Sequence, residues 1–395
     1  MIYSRADLEL LRLVAFCRDV PMDAGAAFAS DLFSPWRISQ LLAVKALKLS
    51  RTAQTLRPTP YTYGIIARAG YPTPAELKPN NKKEALARRE KAFSILTTFY
   101  RAGIHVFCFG QEGRPVPLAD DSFITSAEIR RSRGNTQGSA TFYGIAFLGT
   151  TAYFVWHVSE GKGLYFRNEV RLFNSLVEEM RVRTGQDYDR AVIYMSEAIG
   201  TIAHTALGHD DGVHRKKNRD GLSMMSFGTA YDDLKLPIHF IPAGDAGAYQ
   251  LSIMHIPGYR ESLARAIMGD AYTAPREGLP DTDTMLDDMP AVIAVDMDIK
   301  RIDRAIAQAG EAGYNAIAIY ALPWQTDFLL ERYPGASVYA LDIGELNIAM
   351  GNSLTLYEPG EDALVSEEGR KNAATVTPHR QAGGGAGEES GPMGL

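Results

Sequence analysis

Between Thr141 and about Glu358, short apolar runs alternate with amphipathic stretches, and this alternation restricts the fold more than any other feature of the chain. TFYGIAFL and TAYFVWHV read as neighbouring strands around a Gly149-Thr150-Thr151 turn. NEVRLFNSLVEEMRVRTG follows as a helix ending at Gly185, AVIYMS as a strand and EAIGTIAHTALG as a helix. LPIHFIPA and YQLSIMHI read as strands and YRESLARAIMG as a helix. A last series runs AVIAVDM, a helix from Ile299 to Gly313, NAIAIYAL, a helix near DFLLERY, and SVYALDI. Strands joined through helices pair parallel rather than as hairpins, so residues 141–357 are expected to form a mainly parallel α/β sheet domain. Beyond Glu358 apolar content falls away, and 358–395 is expected to be a disordered tail.

The first part of the chain has a different rhythm. From Ser4 to Arg18, Leu10, Leu13, Val14 and Cys17 recur at helical spacing, with Ser4 and Asp7 set three apart as a capping box. Pro21 ends that helix, and a second is expected from Asp23, with Ala27, Phe28 and Leu32 on one side. Ser34-Pro35 starts a third, SPWRISQLLAVKALKLS, in which Ile38, Leu41, Leu42 and Lys45 share the inward rows. RTAQTLRPTPYTYGII then reads as a two-stranded wing bracketed by Arg51 and Arg57. Three short helices and a wing predict a winged helix-turn-helix over 1–72, whose third helix enters the major groove. Residues 73–140 read as linker and helical connector, with Phe93, Leu96 and Tyr100 on one side of a fourth helix.

Charge assigns that unit a partner. Residues 1–110 hold 16 Lys and Arg against 8 Asp and Glu, a surplus of +8 that leaves −14 on the remaining 285 residues and −6 overall. A cationic surface gains free energy on duplex DNA by displacing condensed counterions, whereas an acidic one is repelled. Arg37, Gln40 and Lys48 of the third helix are expected in the groove, and Lys45, Arg51, Arg57 and Arg68 are assigned with them to the interface. One winged helix contacts few base pairs, which makes a homodimer the expected assembly. No apolar run reaches the roughly 18 to 20 residues of a membrane span, and MIYSRADLELLRLV carries acids within its apolar pattern, unlike a signal peptide. A cytoplasmic protein with no membrane partner and with free thiols at Cys17 and Cys108 is expected.

Chemistry is sparser. His204, His209, Asp210, Asp211 and His214 supply metal-ligand types within eleven residues, but without a ligand signature; the preferred reading is a solvated loop, with a metal site or phosphate contact as alternatives. AVIAVDMDIKRI ends a strand in Asp296, Asp298 and Lys300. Asp298-Ile-Lys300 is similar to the Asp/Glu-x-Lys half of restriction-type nuclease motifs, and Asp296-x-Asp298 to the nucleophile motif of haloacid-dehalogenase-like phosphatases. The preferred reading is acids capping the next helix; the alternative is a metal-dependent nuclease or phosphatase. Glu169, Glu178 and Glu179 near Lys162 read as a charged helix face. With no GxGxxG, GxxxxGK[ST] or Gly-x-Ser-x-Gly, no cofactor is expected.

The order of a winged helix, a Tyr-Thr-Tyr-Gly segment, a further helix and an α/β domain resembles the replication-relaxation family of plasmids and conjugative elements. Asp7 to Val14, in DLELLRLV, matches that family's opening pattern, and Tyr61, Thr62 and Gly64 its closing segment, over roughly residues 1–105. The resemblance implies DNA binding in replication or transfer of a mobile element, with a degenerate nuclease-like C-terminal domain.

Overall fold

The computed structural model describes residues 3–23, 27–50, 54–74, 83–108, 121–133, 142–159, 163–164, 166–208, 225–351 and 353–360. Helix α1 (Arg5–Cys17) starts where Ser4 Oγ accepts the Asp7 N–H at 3.1 Å and Asp7 returns a bond to the Ser4 N–H at 2.9 Å. Leu8, Leu10, Leu11, Leu13 and Val14 are buried. Strand β1 (Val20–Pro21) follows. Of the second helix expected from Asp23, residues 24–26 lie outside the described residues, and a 3-10 turn at Asp31–Phe33 carries Leu32 inward. Helix α2 (Pro35–Ala43) is capped by Ser34, with Pro35 at its first turn. It ends earlier than expected: Lys45 turns the chain at φ 60°, and Lys48 lies in β2 (Leu47–Ser50), opposite Arg57 of β3 (Thr55–Pro58). β3 pairs antiparallel with both β1 and β2. Tyr61 to Gly64, expected in the wing, instead open helix α3 (Pro60–Arg68), because Thr59 and Thr62 cap each other's backbone behind Pro60.

Helix α4 (Lys83–Arg101) lies in the segment expected to be connector, yet it buries Phe93, Ile95, Leu96 and Phe99. Phe99 stacks on Phe123 at 4.2 Å. One apolar cluster runs from Leu10 and Val14 through these residues to Val155, Ile193 and Leu251. Next come β4 (Ser122–Thr125), α5 (Ser126–Arg133), β5 (Gly144–Leu148), β6 (Thr151–His157), β7 (Gly163–Leu164), α6 (Phe166–Thr184), β8 (Asp189–Ser196), α7 (Ile199–Leu207), β9 (Met225–Ser226), α8 (Phe227–Asp233) and β10 (Ile238–Pro242). The five-stranded sheet has the order β10-β8-β6-β5-β4; its first three strands are parallel, and β5 and β4 join antiparallel. Gly149, at φ 53°, makes the tight β5–β6 turn that forces that reversal. YQLSIMHI is not a strand. It belongs to α9 (Asp245–Met254), where Gly247, Ala248, Gln250 and Leu251 are buried and the backbone at Gly247 approaches Pro242 too closely for any Cβ.

The chain continues through α10 (Tyr259–Met268), β11 (Thr284–Leu286), β12 (Met289–Ile293), α11 (Ile299–Glu311), β13 (Ala318–Ala321), α12 (Thr326–Arg332), β14 (Ser337–Ala340) and α13 (Ile343–Ala349). β12, β13 and β14 are parallel, with β11 antiparallel at the edge. Among the described residues the expected single, mainly parallel sheet is thus two mixed sheets and an antiparallel β7–β9 ribbon, and the protein is mixed α/β. The two mixed sheets meet at the edge of the first, where the Phe240 N–H donates to Met297 O at 3.2 Å and His239 bridges Asp298. Residues 353–360 return to the amino-terminal unit, with the Tyr357 N–H donating to Arg101 O at 2.7 Å. No described helix is long and apolar enough to cross a membrane.

Candidate functional site

Helix α2 divides its surface sharply. Arg37, Ile38 and Leu41 face inward, while Trp36 (62% exposed), Ser39 and Gln40 face solvent. Lys45 and Lys48 are exposed just beyond it, and Arg68 is exposed with its guanidinium 5.6 Å from the Tyr61 ring.

Two expected contacts are corrected by their partners. Arg37 is 2% exposed; its Nη1 donates to Asp7 at 2.9 Å and to Ser4 Oγ at 3.2 Å, and its Nε to Asp31 O, so it ties α2 to α1 instead of facing a groove. Arg57 donates to Asp19, a buried carboxylate that also binds Arg89 at 2.9 Å and Thr55 at 3.0 Å. A buried carboxylate must be paired or it destabilises the fold, and Arg57 serves that need. Arg51 lies outside the described residues.

The acids around Asp296 form a second constellation. Met297, between Asp296 and Asp298, has φ 51°, a conformation that is strained for a methionine and turns the two carboxylates apart. Asp296 is fully buried and accepts from Tyr259 Oη at 2.5 Å and from Arg260 Nε at 2.9 Å; its backbone oxygen lies 3.0 Å from His239 Nδ1. Burial alone would raise its carboxyl, but Arg260, Arg301 and His239 outweigh burial and hold it well below the usual carboxylate range. Burial, reinforced by Asp296, lifts the Tyr259 hydroxyl far above its ordinary value. Asp298 caps α11 through the Arg301 N–H at 3.2 Å, as its place at a strand end suggested. Lys300 turns away, donating to the backbone oxygens of Tyr231 (2.5 Å) and Leu234. Burial, then Lys235, lowers its ammonium. The Asp-x-Lys pairing of a nuclease is therefore not formed: its lysine is engaged on the backbone oxygens of Tyr231 and Leu234.

Beside this network opens a cleft of about 990 Å³, lined by Tyr153, His239, Arg260, Asp298 and Arg304 among others. Three of its arginines, Arg260, Arg301 and Arg304, are already committed, the first to Asp296. Arg301 binds Asp283 at 2.9 Å and Arg304 binds Asp281 at 2.9 Å. Among the described residues no group of three or more His, Cys, Asp or Glu is arranged to hold a metal ion.

His204 sits exposed on α7, while His209, Asp210, Asp211 and His214 lie outside the described residues, as does Lys162. Glu178 and Glu179 pair with Arg181 and Arg183 on the face of α6, but Glu169 is fully buried and accepts from the Trp156 indole. Tyr259 and Arg260 escaped notice in the sequence because nothing local marks them; they reach Asp296 only through the fold. Comparison of the chain with protein-family models, with curated proteins and with solved structures returns no match.

Proposed function

We propose that the amino-terminal unit is a winged helix-turn-helix that binds double-stranded DNA, with α2 in the major groove and the β2–β3 hairpin as its wing. The observation that carries this reading is the division of α2: Ile38 and Leu41 anchor it to the core while Trp36, Ser39 and Gln40 stand outward, ahead of a hairpin that exposes Lys48. The order helix, strand, helical turn, helix and hairpin is the one that places such a helix in a groove. Gln40 takes the role of base reader, since its amide pairs with both edge atoms of adenine. Lys45, Lys48 and Arg68 hold phosphates. Arg37 and Arg57 are removed from the interface by their internal ion pairs.

This reading extends to a protein of a mobile genetic element acting in replication, transfer or transcription control, with a non-catalytic α/β domain, as the family resemblance implies. Two copies on one site would raise affinity, and sedimentation with and without duplex tests that assembly. The test of the reader is fluorescence anisotropy of the full chain on labelled duplexes selected from a random pool. Gln40→Ala is expected to cost about 1–3 kcal/mol on the selected sequence and little on unrelated DNA. Equal loss on both would remove Gln40 from base recognition.

A further inference from the structure

Strand β6 ends at His157, yet the Val158 N–H still donates to Met195 O at 2.8 Å, so the chain stays extended there and sets His157 and Ser159 on one side of it. The parallel strand β8 ends beside them at Ser196, followed by Glu197. Carboxyl ends of neighbouring parallel strands are where open α/β sheets hold what they bind. Four side chains meet at this end. Lys91 Nζ, from α4, donates to Ser159 Oγ at 2.6 Å and lies 3.4 Å from His157 Nδ1. Ser159 Oγ is 3.0 Å from the same Nδ1, and His157 Nε2 is 3.7 Å from Glu197 Oε1. His157 is buried, Lys91 and Ser159 are half-buried and the Glu197 side chain is 73% exposed, so the cluster reaches the surface at its serine and its carboxylate.

We infer that Ser159 is an activated nucleophile that accepts an acyl group from an ester or a thioester. With Lys91 donating to Oγ, the hydroxyl proton is left to donate to Nδ1, which makes the imidazole of His157 the base; the Glu197 carboxylate faces the opposite ring nitrogen and balances the charge that arrives with the proton. In the step, Oγ bonds to the acyl carbon and the bond from that carbon to the ester oxygen or thioester sulfur breaks. The Oγ proton passes to His157 Nδ1 and from there to the leaving alkoxide or thiolate. The Lys91 ammonium, beside Oγ before the reaction, neutralises the negative charge that develops on the carbonyl oxygen two bonds away. A single cation suits the single charged oxygen of acyl transfer, whereas a transferred phosphoryl group spreads its charge over three oxygens and would be repelled by the exposed Glu197. The inference goes beyond duplex binding and does not rest on it, and as an acceptor of one acyl group Ser159 asks no turnover of the α/β part.

Treatment of the full chain with p-nitrophenyl acetate, and separately with an alkyl fluorophosphonate that traps such serines by losing fluoride, tests it. At least one equivalent of nitrophenolate per chain is expected from the first, and from the second one adduct, mapped to Ser159 by peptide mass spectrometry and absent from Ser159→Ala. His157→Gln should slow the labelling about a hundredfold and Lys91→Met at least tenfold. Glu197→Gln, at an exposed position that the fold does not depend on, should slow it by a smaller factor in a chain whose circular dichroism matches the wild type. The wild-type rate should fall between pH 8 and pH 5 as the imidazole takes up a proton. No adduct at Ser159, an equal rate in folded Lys91→Met and Glu197→Gln chains, or a rate that does not change with pH would each overturn the assignment.

Discussion

Arg37 shows why a charged residue cannot be assigned from sequence by its type alone. It has the sign and helix position of a DNA contact, yet it is 2% exposed and bound to Asp7. The net surplus was legible because charge adds along the chain. The pairing was not, because Asp7, Asp19 and Asp245 reach Arg37, Arg57 and Arg101 only after folding. Arg37→Ala is accordingly expected to lower stability by about 3 kcal/mol, read as an earlier urea midpoint, while leaving the salt dependence of any DNA complex unchanged. Asp296 makes the second prediction at this scale. Its carboxyl is depressed in the folded protein, so its contribution is present above the unfolded value of about 3.9 and is lost as pH falls towards the folded one. At pH 3 the wild type should have lost about 1 kcal/mol of that contribution relative to pH 7. Asp296→Asn lacks the titration, so thermal unfolding at the two pH values should show the gap between the proteins narrowing on acidification; a constant gap would mean that Asp296 is not held ionised.

Among elements, most strands and helices were legible because their apolar periods differ. The failures have physical causes. In YQLSIMHI, the β-preferring Tyr249 and Ile253 suggested a strand, but Gly247 lets that backbone close against Pro242 as a helix. Tyr61 to Gly64 became helix rather than wing because Thr59 and Thr62 cap its start. In α4, the inward row of Phe93, Leu96 and Tyr100 was visible, but not that Phe99 and Ile95 would complete a core helix. The element on which the proposed DNA binding turns is α2, and its cap can be tested. Ser34→Ala removes a side-chain acceptor from the Arg37 N–H and should cost about 1 kcal/mol, measured by urea unfolding. An unchanged midpoint would show that Pro35 and the buried Ile38 suffice to start the helix.

At the scale of the whole molecule, the amino-terminal unit is not an appendage. Arg101, 3% exposed, donates to Ala29 O at 3.2 Å, to Asp245 at 3.1 Å and to Tyr357 O at 2.8 Å, and also binds Glu358. It therefore joins the segment before α2, the α/β part and the returning chain. Together with the continuous apolar cluster it predicts one cooperative transition, in which far-ultraviolet circular dichroism and tryptophan fluorescence superimpose. Two separate transitions would show that the units fold apart. The separation of strands into two sheets was not legible, because the exchange depends on the backbone around Met297 and His239, which no local pattern encodes. The central claim is that exposed cations following α2 hold DNA phosphates, and the salt dependence of duplex binding measures it most directly. Combining Lys45→Ala, Lys48→Ala and Arg68→Ala should reduce the slope of log affinity against log salt by about 2.7, roughly 0.9 for each phosphate no longer neutralised. A slope that does not change, or a wild-type chain that fails to bind duplex even at low salt, would contradict the account.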